Sequence, residues 1–134
     1  MRGTLRALAL AAVLAGAAGC GPKPGIAPRA QPVPVRVTNQ NRADVVIYMV
    51  RSGTQARLGT VVSGETTTLT IRNVPLEQLQ RVQFDVRRIG ADGTFRTRQV
   101  SLGREQMVVL RIEDLLSTSQ VSVAENPSPA KQLP

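Results

Sequence analysis

The sequence predicts an all-β protein, a small antiparallel β-sandwich of seven to eight strands that follows a signal peptide and a Pro-rich tether. Three observations carry this. Apolar residues recur with period two from Val35 to Val123, the spacing that puts alternate side chains on opposite faces of a strand. Turn residues punctuate the same region at intervals of about ten residues, the rhythm of sandwiches and barrels. Aromatic residues number only three, Tyr48, Phe84 and Phe95, and valine dominates the apolar set. β-branched side chains are stiff in helices and pack well on pleated sheets.

Taken in order, "VPVRVT" (Val33 to Thr38) alternates apolar and polar residues. "DVVIYMV" (Asp44 to Val50) is almost continuously apolar, which predicts a central strand covered on both faces. Ser52-Gly53 is a hairpin signal, and "ARLGTVV" (Ala56 to Val62) is its returning strand. Ser63-Gly64 supplies the next turn. "TTTLTIR" then places Thr67, Leu69 and Ile71 on one face and Thr66, Thr68, Thr70 and Arg72 on the other.

Pro75 interrupts the rhythm in "NVPLEQLQ" (Asn73 to Gln80), which reads as a loop or one helical turn crossing between sheets. "RVQFDVRRI" (Arg81 to Ile89) resumes it with Val82, Phe84 and Val86 inward, and Asp92-Gly93 is a turn. "TFRTRQVSL" (Thr94 to Leu102) changes phase between Phe95 and Val100, so a bulge is expected. "QMVVLRI" (Gln106 to Ile112) is a well-buried strand and "STSQVSV" (Ser117 to Val123) the last.

The segment before this domain is an address. Arg2 and Arg6 precede an uninterrupted apolar run from Ala7 to Ala15, and small residues lead to Cys20, the single cysteine of the chain. This is the layout of a secretory signal. Even counted from Leu5 to Ala18 the apolar stretch has 14 residues, short of the roughly 20 a spanning helix needs.

Ala17-Ala18-Gly19-Cys20 resembles the lipobox of bacterial lipoproteins, with Ala17 where leucine is commonest. The resemblance implies diacylglyceryl modification of the Cys20 sulfur, cleavage after Gly19 and acylation of the new amino terminus. Several acyl chains anchor stably where one binds marginally, each buried methylene contributing about 0.8 kcal/mol. Gly21 rather than aspartate follows the cysteine. In a host with two membranes, the lipoprotein sorting pattern then implies the outer one; the expected facing is the periplasm, with the cell exterior as the open alternative. The stretch Val45 to Val61, above all Arg57-Leu58-Gly59-Thr60-Val61, is similar to a group of small bacterial lipoproteins with a β-sandwich body. That likeness supports fold and address only.

Residues 1–19 thus read as a signal peptide and residues 20–34 as a lipidated cysteine and linker. The β-sandwich is assigned to residues 35–123, and a disordered tail to 124–134. Five prolines stand between Gly21 and Pro34. Such a linker is extended, at about 3.1 Å per residue, and holds the domain off the membrane. Three more prolines follow Ala124.

The residues offer little for catalysis. Histidine is absent and the one cysteine is spoken for, which removes the usual zinc sites and Ser-His or Cys-His nucleophiles. Glu113-Asp114 is the only adjacent acidic pair, and strand neighbours project to opposite sides, so it reads as a solvated turn. Asp92 alone cannot supply the oxygens calcium takes, and phosphate-binding glycine loops are missing. No enzyme, cofactor or metal is expected.

Charge is the remaining signal. Lysine and arginine number 17 against 9 acids, for a net charge of +8, and 15 of the 17 are arginine. Nucleic acid is not the expected partner, because exported proteins rarely meet it and no cluster of stacking aromatics accompanies the charge. Tyr48 reads as a core residue with a hydrogen-bonded hydroxyl. Arg36, Arg72, Arg81, Arg87, Arg96, Arg98 and Arg111 fall mostly on polar-facing strand positions. Arg87, Arg96 and Arg98 are the candidate ligand-binding residues, because guanidinium matches carboxylate and phosphate bidentately. The simpler alternative is a solvated face that keeps the domain soluble and blunts its edges.

Two functions follow as expectations. The first is a membrane-anchored structural or protein-interaction module with an envelope protein as partner. The second is a binding module for an anionic envelope glycan or lipid head group. Binding by exposed arginines collapses with ionic strength, whereas an interface with an apolar centre persists.

Overall fold

The computed structural model describes residues 30–127. The signal segment, Cys20, most of the linker and the end of the tail lie outside them. Among the described residues no helix is long and apolar enough to cross a membrane.

The chain forms eight strands in two four-stranded sheets, an all-β sandwich. Sheet I has the order β4-β1-β7-β8, from β1 (Val33–Asn39), β4 (Thr66–Ile71), β7 (Gln106–Ile112) and β8 (Gln120–Glu125). Sheet II has the order β3-β2-β5-β6, from β2 (Val45–Arg51), β3 (Thr54–Val61), β5 (Gln83–Arg88) and β6 (Thr94–Arg96). All neighbours are antiparallel except β1 and β7, which run parallel. Both limits read from the sequence extend. Val33 and Pro34 belong to β1, and β8 continues past Val123 to Glu125.

Period two explains the core. Val33, Val35 and Val37 of β1 face Val45, Ile47 and Met49 of β2 across the sandwich. Phe84, Val86, Val108, Leu110 and Ile112 complete its centre. Burying each such side chain stabilises the fold by about 1.5–3 kcal/mol relative to exposure, the largest favourable term available to a domain this size. Pro34 is tolerated in a central strand for a local reason. Pairing with β7 begins only at Val35, so the missing N–H removes no ladder bond on that side.

The turns follow their residues. Ser52 and Gly53 both have positive φ, 46° and 78°, as a two-residue type I′ hairpin requires. The segment containing Pro75 carries a short 3₁₀ turn, η1 (Leu76–Leu79), with Leu79 buried as the chain crosses from sheet I to sheet II. A second, η2 (Leu116–Thr118), joins β7 to β8.

Two expectations are corrected. β2 is not covered on both faces. Val46 and Tyr48 point outward and are only half buried, with the Arg87 guanidinium of β5 over the Tyr48 ring, and Val50 alone of that phase is buried. The irregularity in Thr94–Leu102 is larger than a bulge. Thr97 still faces in and Val100 and Leu102 do so again, so Arg98-Gln99 holds the phase change and regular pairing ends at Arg96. A true bulge lies in β3, where Leu58 has no partner while Arg57 and Gly59 pair Tyr48 and Ile47.

The register gives the sandwich two poles. β1 begins and β8 ends at one of them, where Asn126 N donates to Glu105 O at 2.7 Å. Both ends of the described chain leave from this proximal pole. The loops after β1, β3, β5 and β7 form the distal pole. There Asn39 and Asn41, both buried, tie the loops together. Asn39 Nδ2 donates to Ala43 O and Val61 O, and Asn41 Nδ2 donates to Glu113 O and Asp114 O, all at 2.9–3.1 Å. The Glu113-Asp114 turn is therefore docked by its backbone.

Candidate functional site

The outer face of sheet II concentrates the organised polar chemistry. Alternation turns Phe84 and Val86 inward, so Gln83, Asp85 and Arg87 of β5 point outward. The register lays Arg57, Tyr48, Asp85 and Arg96 side by side across all four strands. Thr60, Val46, Arg87 and Thr94 form the next row.

Asp85 is the centre of this face. It stands on the outer phase of its strand, yet its side chain is only 2 % exposed. A carboxylate so covered must be paired and hydrogen-bonded, and it is. Arg96 grips it with both prongs, Nε donating to Oδ1 at 2.6 Å and Nη2 to Oδ2 at 2.8 Å. Gln55 Nε2 reaches over from β3 to donate to Oδ2 at 2.6 Å. Arg87 Nη2 stands 3.9 Å from the same oxygen and donates to Gln55 Oε1 at 2.8 Å. The Arg87 guanidinium also lies over the Tyr48 ring, 4.6 Å from its centroid, a cation–π contact.

The electrostatics follow from the geometry. The hydrogen bonds from Arg96, and then its charge and that of Arg87, hold the Asp85 carboxyl below its ordinary value of 3.8 against the opposing effect of burial. The reciprocal bond raises Arg96 above the usual arginine range. Asp85 thus stays ionised near neutral pH and has no proton to give. Its chemistry is to fix two half-exposed guanidinium groups on the sheet face. Counting Arg57, this face carries three arginines over one carboxylate.

Of the three arginines singled out by the sequence, the fold brings together Arg87 and Arg96. Arg98 is placed elsewhere. Its Nη2 donates to Val121 O of β8 at 3.3 Å, bridging the open flank between the two sheets. Arg36 and Arg111 lie on the outer face of sheet I, where they line a shallow groove with Thr38, Gln40, Met107 and Val109. The arginines are therefore divided between two faces. Tyr48 is not a core residue but part of the outer cluster. The sequence reading also passed over Asp85 and Gln55. The signal was a lone acid on the outward phase of a strand ending in two arginines.

No family model matches the chain, and no curated protein matches it. The NMR structure of a protein from Eubacterium rectale is similar at 14 % identity. The match covers 72 % of this chain and 92 % of that one with a TM-score of 0.45. A likeness of this degree assigns neither family nor activity.

Proposed function

We propose that the protein is a lipid-anchored lipoprotein of the cell envelope, held through Cys20 at the outer membrane and facing the periplasm. Its β-sandwich acts as a structural or protein-interaction module. The observation that carries this is the fixed Tyr48–Arg87–Asp85–Arg96 platform on sheet II. Tyrosine and arginine are the residue types that dominate binding energy at interfaces. Holding them in place before the partner arrives lowers the ordering cost of association. Both ends of the described residues leave at the proximal pole, which supports a tether on that side.

The test is a photo-crosslinking residue at position 57, on the same face, in the full-length acylated protein in cells. Capture of one envelope protein, lost both in Cys20→Ser and in Arg87→Ala, supports the reading. No capture, or capture indifferent to Arg87→Ala, overturns it.

A second reading, an anionic glycan or lipid head group bound at this face, is favoured by the excess of arginine over acid around Asp85. It requires that purified protein bind vesicles with anionic lipid, or an anionic glycan, and lose that binding at high salt and in Arg87→Gln. Arg98→Gln, remote from the cluster, is the control that should bind normally.

A further inference from the structure

The distal pole differs from the rest of the molecule in two independent respects. The three exposed large hydrophobic residues among the described residues are Val62, Ile89 and Leu115, at 47 %, 48 % and 65 % exposure. Each sits on a different loop, after β3, β5 and β7 respectively, and all three loops are at this pole. Charge is segregated as well. The four distal loops (40–44, 62–65, 89–93 and 113–119) contain Asp44, Glu65, Asp92, Glu113 and Asp114 against Arg42, net −4, and the strand-end arginines Arg88 and Arg111, which reach Asp92 O and Glu113, bring the pole to net −2. The remaining described residues carry nine arginines against four acids, net +5.

These loops form one hydrogen-bonded cap. Ile89 N donates to Asp44 O at 2.8 Å, and Ser63 N donates to Asp44 Oδ1 at 2.9 Å. Ser63 Oγ donates to Asn41 O at 2.6 Å, and Asn41 Nδ2 in turn holds Glu113 O and Asp114 O. Val62, Ile89 and Leu115 are each in this network or one residue from it. Their exposure is thus built into tied loops and does not come from slack ones.

We infer that the distal pole is a protein-docking surface whose partner presents an apolar recess rimmed by arginine or lysine. An apolar centre with a polar rim is the anatomy of a specific interface, and the rim's charge names its complement. A bilayer is the weaker candidate, because an anionic lipid surface repels a net-negative pole. The inference deepens the interaction reading above, but it uses neither the sheet II platform nor the acylation of Cys20.

The experiment places a photo-crosslinking residue at 62, 89 or 115 in the full-length protein in cells, with Ser122, exposed on sheet I, as the control position. The captured protein is identified, purified and titrated. The expected result is one protein captured from all three distal positions and not from 122. It crosslinks through a segment containing Arg or Lys, and its binding is weakened about tenfold by Asp92→Lys/Asp114→Lys and by raised salt. Leu115→Glu should reduce capture at 62 and 89 similarly. Equal capture from 122, adducts with lipid only, an adduct with a second copy of the chain, affinity indifferent to charge reversal, or no adduct overturns the inference. Failure here with success at position 57 leaves the sheet II reading standing, and the reverse result removes that reading alone.

Discussion

The outer faces of the two sheets are built from the same residue types and behave differently. On sheet I, Arg36 and Arg111 stand among Thr38, Thr66, Thr68, Val109 and Ser122 with no acid beneath them. Arg111 turns to Glu113 at the strand end, at 2.6 Å, and Arg36 takes part in no ion pair among the described residues. On sheet II one buried carboxylate gathers Arg96, Gln55 and, through Gln55 and Tyr48, Arg87. A single covered acid on the outer face converts loose surface arginines into a fixed array. Charge count alone does not distinguish the faces; the position of one aspartate does.

The strongest way to break this comparison is to remove the pair at its centre. Asp85→Ala deletes three hydrogen bonds to an ionised acceptor and leaves Arg96 and Arg87 facing each other. A loss of about 2–3 kcal/mol is expected from charged hydrogen bonds of this kind. It should be read as a lower denaturation midpoint with an unchanged slope. Arg96→Ala should be at least as harmful, since it strands a buried carboxylate, whereas Arg96 left alone can rehydrate. Removing both together should restore part of the loss. A double variant that costs the sum of the two singles would show that Asp85 does not act through Arg96.

Protonation breaks the same pair without mutation. The folded carboxyl titrates below the ordinary value of 3.8, so its contribution is fully present above that value and is lost as pH falls through the lower folded one. The stability gap between wild type and Asp85→Asn should therefore be constant from neutral pH to about 5 and close on further acidification. A gap that widens in acid contradicts the assigned direction.

Tyr48 offers a finer cut. Replacing it by leucine keeps an apolar side chain under Arg87 but removes the ring face, and about 0.5–1 kcal/mol should be lost at this half-buried site. Pairing Tyr48→Leu with Arg87→Ala in a double-mutant cycle isolates that contact. A coupling energy of zero would reduce the stack to mere proximity.

How much of this was legible beforehand depends on range. Strand β5 and its inward set Val82, Phe84 and Val86 follow from alternation alone, and the type I′ turn follows from Ser52-Gly53, because both are local properties of the chain. The grouping of Arg87 with Arg96 needs the β5–β6 register, and the separation of Arg98 needs the loss of phase at Arg98-Gln99. Tyr48 departs from its expected core position because an apolar strand is not thereby buried on both faces. On its outer face the Arg87 guanidinium lies over the ring in place of a further layer. Asn39 and Asn41 show the same limit. Asn41 reaches carbonyls of another loop, up to 73 residues away at Asp114, and Asn39 reaches Val61 O on β3, and no local pattern announces these distant partners.

The smallest effect is the sharpest test of the difference between the faces. Arg36 occupies an outward position on central strand β1, as Arg87 does on β5, and it pairs across the ladder with Thr68 and Val109. A reading from sequence treats the two as equivalent. Arg36 is exposed and has no carboxylate partner among the described residues, so it gains little on folding. Arg36→Ala should change stability by no more than about 0.5 kcal/mol, the range of surface sites without specific partners. Arg36→Ala/Thr68→Ala should be simply additive. If Arg36→Ala matched Arg87→Ala in cost, the arginines would act through a general property of sheet faces, and the special role given to Asp85 would have to be withdrawn.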